Sequence, residues 1–194
     1  LHGNPDSLKV VDPVMGDNGK PYSTYTPELI RRMKELVDAA DVITPNLTET
    51  CMLLGEECPP VMSVAQARSW LARLSDKPGI VVIKGVPLID DDGQKLSNVG
   101  FDKESGSFWR IDWDHIPVHY PGTGDIFTSV LTASLLKGES LPIALNRATT
   151  FTEIAVKTTY SYGTEPRLGV LFEDCLSWLM TNTVLCDCLL YTSD

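Results

Sequence analysis

The sequence predicts an α/β protein: a mainly parallel sheet flanked by helices, with a β-hairpin insertion near residues 96–111. Two observations predict the sheet. Short apolar runs of strand length alternate with longer stretches whose apolar residues recur at helical spacing, the pattern of parallel strands joined by helical crossovers. Most of the strand-like runs also end in polar or turn residues, where open α/β sheets gather their ligands. A third observation marks the hairpin. From Leu96 to Ile111 the pattern becomes alternation around the turn run Asp102-Lys-Glu-Ser-Gly106.

The elements follow in order. Leu8–Asp12 reads as a short strand ending in an acid. Thr26 caps a helix with Pro27 at its first position, and Leu29, Ile30, Met33, Leu36 and Val37 form its apolar stripe. Asp41–Thr44 is a second strand, closed by Pro45. Thr48 is read as the cap of a helix through Leu54, which Gly55 can end. Ser63 and Gln66 have capping-box spacing and open a helix that turns Ala67, Trp70, Leu71 and Leu74 to one face. Gly79–Lys84, between Pro78 and Gly85, reads as a buried strand. Helices are expected over Asp125–Lys137, about Leu141–Tyr160, and Leu168–Met180.

The 194 residues are 43% hydrophobic, enough for one domain with a real core. Residues 1–180 are expected to form the later part of a single domain, because the chain lacks an initiator Met and enters a strand almost at once. The last stretch, 181–194, has no clear period and is expected to be a non-native or disordered tail. No apolar stretch reaches the ~18 residues of a membrane span. The opening residues have neither the basic nor the apolar part of a signal peptide. A net charge of −10 opposes sequence-independent nucleic-acid binding, which rests on Lys and Arg contacts to phosphates. Five cysteines at irregular spacing predict a reducing cytoplasm and no disulfide framework. Cys186 and Cys188 lack zinc-site spacing.

Four clusters can carry chemistry. Pro121-Gly-Thr-Gly-Asp125 opens a helix, where backbone N–H groups and the helix dipole favour an anion and glycine lets it come close. An acid in that first turn is placed to take a proton from a nucleophile attacking the anion. The plain structural alternative is a Gly-rich loop with an Asp cap. Asp12-Pro-Val-Met-Gly-Asp17 can position a cation or phosphate, or can simply be turn chemistry. Thr44-Pro-Asn-Leu-Thr-Glu49 offers oxygen ligands suited to Mg²⁺, or an acid complementing a helix dipole. Lys84 closes an apolar strand, and its alternative is a lysine reaching out to water. Together these polar groups sit at successive strand ends, so they converge on one site.

The motifs Asp12-Pro-Val-Met-Gly-Asp17, Thr44-Pro-Asn-Leu-Thr-Glu49 and Gly122-Thr-Gly-Asp125, in this order, resemble the ribokinase-like vitamin kinases, and among them the pyridoxal/pyridoxamine kinases. The resemblance covers roughly Leu8 to Met180. Related hydroxymethylpyrimidine kinases share the first two motifs but usually carry a Cys-containing glycine loop, so Gly-Thr-Gly-Asp favours the vitamin B6 enzymes. The resemblance implies a ribokinase-like fold and ATP-dependent phosphorylation of the 5′-hydroxymethyl group of a B6 vitamer. It implies Asp125 as the catalytic base beside the substrate and Gly122, Thr123 and Gly124 as an anion hole. It implies Asp12, Thr44, Glu49, Lys84, Arg110, Ile111, Asp112 and Trp113 as nucleotide-site residues. It implies Asn46, Glu49 and Asp17 around Mg²⁺, with Tyr22 in the same region. Family members are usually homodimers, and they carry an N-terminal βαβ region with much of the vitamin pocket. On that resemblance this chain alone is expected to bind nucleotide weakly and to have little activity. The alternatives are a hydroxymethylpyrimidine kinase and a non-catalytic nucleotide-binding module.

Overall fold

The computed structural model describes residues 7–180 and the backbone of 189–190. The expected tail at 181–194, with Cys186 and Cys188, therefore lies outside the described residues apart from that short backbone segment. The chain divides into two compact units, Leu1–Arg110 with Leu190–Asp194, and Ile111–Leu189.

The first unit is built on a sheet. Strands β1 (Val10–Val11), β4 (Val42–Ile43) and β6 (Ile80–Asp90) run parallel, with Val10 opposite Val42 and Val42 opposite Ile80. The short β5 (Met62–Ser63) pairs parallel with the far end of β6. β7 (Gly93–Asp102) returns antiparallel along β6, and β8 (Ser107–Trp113) is next in strand order. The expected hairpin is thus present as β7 and β8. The run expected to end at Lys84 instead continues six residues further to Asp90. It does so through an irregularity between Ile83 and Val86, where Gly85 takes a φ of +65°.

Between β1 and α1 (Pro27–Asp38) lies a small hairpin, β2 (Gly16–Asp17) with β3 (Lys20–Pro21). Its turn is Asn18-Gly19, both at positive φ (52° and 75°), as a two-residue hairpin of this hand requires. Gly16 has no room for a side chain: an added Cβ would stand 2.4 Å from the Lys20 carbonyl oxygen.

Helix α1 starts as expected, with the Thr26 hydroxyl accepting the Leu29 N–H at 3.3 Å. Of its apolar stripe only Val37 is buried. Helix α2 (Leu47–Leu54) differs from expectation. Its cap is Asn46, because the Asn46 and Glu49 side chains bond each other's backbone N–H groups reciprocally, and Thr48 is already inside the first turn. Gly55 ends it at a φ of 71°. Helix α3 (Val64–Leu74) is capped by Ser63 and buries Ala67, Trp70, Leu71 and Leu74, as its period predicts. These residues join Ile43, Met62, Val81, Ile83, Val86 and Leu88 in one core. Burying such side chains is worth roughly 1.5–3 kcal/mol each before entropy is counted.

The cysteine expectation is corrected at one pair. Cys51 of α2 and Cys58 of the loop after it form a disulfide, seven residues apart, while Cys175 is a free, buried thiol.

The second unit holds α4 (Thr123–Leu136) and α5 (Leu141–Tyr162). The helix expected over Leu168–Met180 is reduced to a 3₁₀ turn at Glu173–Cys175 and one short helix, α6 (Leu176–Leu179). Gly169, at a φ of +78°, breaks the chain direction where that helix was to begin. Among the described residues no helix is long and apolar enough to cross a membrane.

Candidate active site

In the first unit the strand ends gather the predicted polar residues. Asp12 follows β1, Thr44 follows β4, and Lys84 lies in β6 beside Asn46, with which it forms an isolated parallel bridge. The Lys84 ammonium lies 2.9 Å from each Asp12 carboxylate oxygen, and both side chains are largely buried. A buried pair of this kind holds its members strongly, because removing one partner leaves an uncompensated charge. Thr44 is fully buried, and its N–H donates to the Val11 carbonyl at 3.1 Å.

Glu49 is the centre of this arrangement. It is 2% exposed. One carboxylate oxygen accepts the Met15 N–H at 3.1 Å and the other accepts the Asn46 N–H at 2.8 Å. Burial pushes its pKa up to about 7, against the opposing pull of the Asn46 N–H, of Lys84 and of the Met15 N–H; Asp12 adds to the rise. Asn46 is engaged on both sides: its oxygen accepts the Glu49 N–H at 2.8 Å and its amide donates to the Gly16 carbonyl at 2.9 Å. The Thr48 hydroxyl accepts the Gly19 N–H at 2.8 Å. Three side chains of α2 and its cap thus strap the Met15–Gly19 loop in place. Sequence reading missed this role for Met15 and Gly19, which act through backbone N–H groups; the Asn18-Gly19 hairpin signal could have pointed to it.

Tyr22 stands beside the same group. Burial raises its phenol, and Asp17, Glu49 and Asp12 raise it further. Lys84 pairs with Asp12 and acts on Glu49, while the Asp17 carboxylate accepts the Asn18 N–H at 2.8 Å and lies opposite Lys20 in the hairpin. The Asn46 oxygen already accepts the Glu49 N–H and keeps one further lone pair. Among the described residues no cluster of three His, Cys, Asp or Glu side chains could cage a metal. Mg²⁺ bound with a nucleotide keeps most of its waters and takes one or two carboxylates plus phosphates; Glu49 and Asp17 are the carboxylates of this region that such an ion could use.

Arg110 is engaged within the first unit. It is 2% exposed, pairs closely with Asp90, and donates to the Ser97 hydroxyl at 3.1 Å. Arg110, expected at the nucleotide, is here engaged by these two sheet residues. Ile111, Asp112 and Trp113 open the second unit; Ile111 is buried, and the Trp113 ring meets His115 edge-on at 6.4 Å between centroids.

In the second unit α4 begins at Gly122, with a φ of 87° and no side-chain cap. The N–H groups of its first turn therefore have no capping acceptor from that residue. Asp125 is in the first turn, exposed, and lies with Gly122 in the lining of a groove of about 620 Å³ along α4. The Thr123 hydroxyl donates to the Tyr120 carbonyl at 3.3 Å. An open helix terminus with glycine at its cap and an acid in the first turn can hold an anion and accept a proton beside it.

Residues 4–168 match the phosphomethylpyrimidine kinase family. The chain belongs to that family. It is 31% identical over 146 residues to pyridoxal kinase PdxY of Rubrobacter xylanophilus, a match covering 74% of this chain and 48% of the relative. It is 29% identical over 163 residues to the hydroxymethylpyrimidine/phosphomethylpyrimidine kinase of Haemophilus influenzae, covering 84% of this chain and 60% of the relative. A Bacteroides thetaiotaomicron protein assigned as a phosphomethylpyrimidine kinase, solved with pyridoxal, superposes with a TM-score of 0.89 at 41% identity, covering 97% of this chain and 66% of that one. The relatives carry both vitamin-kinase names, and this chain spans roughly half the length of these two curated relatives. The mixed α/β fold expected from sequence is the fold of these kinases.

Proposed function

We propose that the protein to which this chain belongs is an ATP-dependent kinase that phosphorylates the 5′-hydroxymethyl group of a vitamin B6 vitamer. The observation that carries the reading is the uncapped N-terminus of α4, with Gly122 at its cap and an exposed Asp125 in its first turn. The structure solved with pyridoxal at 41% identity supports the vitamer.

The chemistry follows from these positions. Asp125 accepts the proton of the substrate alcohol as its oxygen attacks the terminal phosphorus of ATP. The N–H groups following Gly122 receive the charge on the transferring phosphoryl group, where positioning and electrostatics dominate the rate. In the first unit Lys84, held by Asp12, is a cation suited to phosphate. In that unit Glu49 and Asp17 are candidate oxygen ligands for Mg²⁺, which would neutralise phosphate charge.

Turnover of pyridoxal, pyridoxamine and hydroxymethylpyrimidine by the full-length protein with MgATP tests the reading. Phosphorylation of a B6 vitamer with the higher kcat/KM supports it. A preference for hydroxymethylpyrimidine would install the second reading, which the Haemophilus relative favours. Saturable ATP binding without turnover of any of the three would make the protein a nucleotide-binding module. The expected homodimer is checked on the same preparation by light scattering.

A further inference from the structure

An irregularity in β6 begins at Lys84. Ile83 pairs with Val99 and Val86 pairs with Ser97, so Lys84 and Gly85 together face the single residue Asn98. Two residues against one is a β-bulge, which bends its strand and redirects a side chain. The Lys84 N–H donates to the Pro45 carbonyl at 2.8 Å, continuing on the β4 side the parallel pairing in which the Ile80 N–H donates to Asp41. Gly85 absorbs the change of direction at a φ of +65°, a conformation in which a residue with a side chain is strained. One group of the bulge still needs a partner in a poorly hydrated place, the Gly85 N–H, and the Asn98 side-chain oxygen accepts it at 2.9 Å. Asn98 itself is 6% exposed, in a strand of otherwise apolar and small buried residues.

We propose that Asn98 is a positioning residue: by accepting the Gly85 N–H it steadies the bulge that begins at Lys84 and so keeps the Lys84 ammonium on Asp12. Its role in turnover rests on the kinase reading above, while its role in placing Lys84 does not. An apolar residue at 98 would leave the Gly85 N–H without its acceptor. Re-pairing of Lys84 and Gly85 with β7 would then shift the backbone that carries the Lys84 side chain.

Two measurements test this. The first is the rate at which each lysine is modified by an amine-acylating reagent, read by peptide mass spectrometry with Lys103 as internal reference. Asn98→Ala is expected to raise the Lys84 rate by roughly tenfold, because the ion pair protecting it opens more often. Asn98→Asp, which keeps the oxygen acceptor, restores the slow rate. An unchanged Lys84 rate in Asn98→Ala overturns the proposal. So does an Asn98→Asp protein that folds, by its thermal transition, yet labels as fast as the alanine variant.

The second is a double-mutant cycle on MgATP affinity in the full-length protein. Asn98→Ala with Lys84→Ala is expected to bind no more weakly than Lys84→Ala alone, since both remove one interaction. Fully additive losses overturn the proposal. If the wild-type full-length protein binds no MgATP, the kinase reading fails, and the labelling result alone decides the role of Asn98.

Discussion

Two helices of this chain begin in opposite ways, although each carries an acid three residues past its cap. In α2 the cap is Asn46 and the acid is Glu49, and each side chain closes on the other's backbone N–H. In α4 the cap is Gly122, which has no side chain to offer, and the acid is the exposed Asp125. The sealed end satisfies its own donors and ties down the Met15–Gly19 loop. The open end leaves first-turn donors and the positive end of the dipole for an incoming anion. The contrast separates an acid that holds the fold from an acid that is free to react.

The largest effect should come from the open end. In the full-length protein Asp125→Asn should lower kcat by roughly 10²–10⁴-fold, the usual contribution of a positioned general base, with MgATP affinity nearly unchanged. Phosphate production from a B6 vitamer and equilibrium nucleotide binding measure the two halves. A variant that kept wild-type turnover would remove the functional side of the comparison.

The sealed end should show itself in stability rather than rate. The folded pKa of Glu49 is raised from 4.5 to about 7. The folded protein therefore binds this proton more tightly than the unfolded chain does, and the stabilising contribution is complete below pH ~4.5 and is lost as pH rises through about 7. The loss over that window is on the order of 3 kcal/mol for the ligand-free protein. Denaturant titrations at pH 5 and pH 8 measure it. Glu49→Gln should remove this part of the slope, and an unchanged slope would show that Glu49 titrates normally.

Much of this contrast was legible in sequence, for identifiable reasons. The glycine-flanked Thr123 with Asp125 gave a helix start, because glycine and acid act locally there. The strand ends before Asp12 and Thr44, and the strand that carries Lys84, followed from apolar run lengths. The α3 face followed from its period. Other features were not legible because they depend on partners distant in sequence. Thr48 was the expected cap of α2, but its hydroxyl is taken by Gly19, 29 residues away, and Asn46 caps instead. The bond from the Asn46 amide to the Gly16 carbonyl is of this kind. So is the engagement of Arg110 by Asp90 and Ser97 within the sheet. The continuation of β6 beyond Lys84 was hidden by Gly85, which reads as a strand end and acts as a bulge.

Asn46→Ala should cost about 1–2 kcal/mol. It removes the cap acceptor for the Glu49 N–H and the bond to the Gly16 carbonyl. Thermal unfolding measures the loss, and hydrogen exchange at Met15 and Gly19 shows whether the loop opens with it. If stability fell and those amides stayed protected, Glu49 and Thr48 alone would hold the loop.

The smallest stability effect, and the sharpest use of the contrast, is expected at Gly122. Its φ of 87° is costly for alanine, by about 1 kcal/mol, and less so for asparagine, which enters this region more readily. Gly122→Asn should therefore change the unfolding temperature little. Its added side chain nevertheless stands at the mouth of the donors that the open terminus presents. MgATP affinity of the full-length protein should fall several-fold in Gly122→Asn while stability holds. The same pair of measurements on Asn46→Ala should show the reverse order. If Gly122→Asn bound MgATP as well as the wild type, the bare cap of α4 would have to be explained by backbone geometry alone.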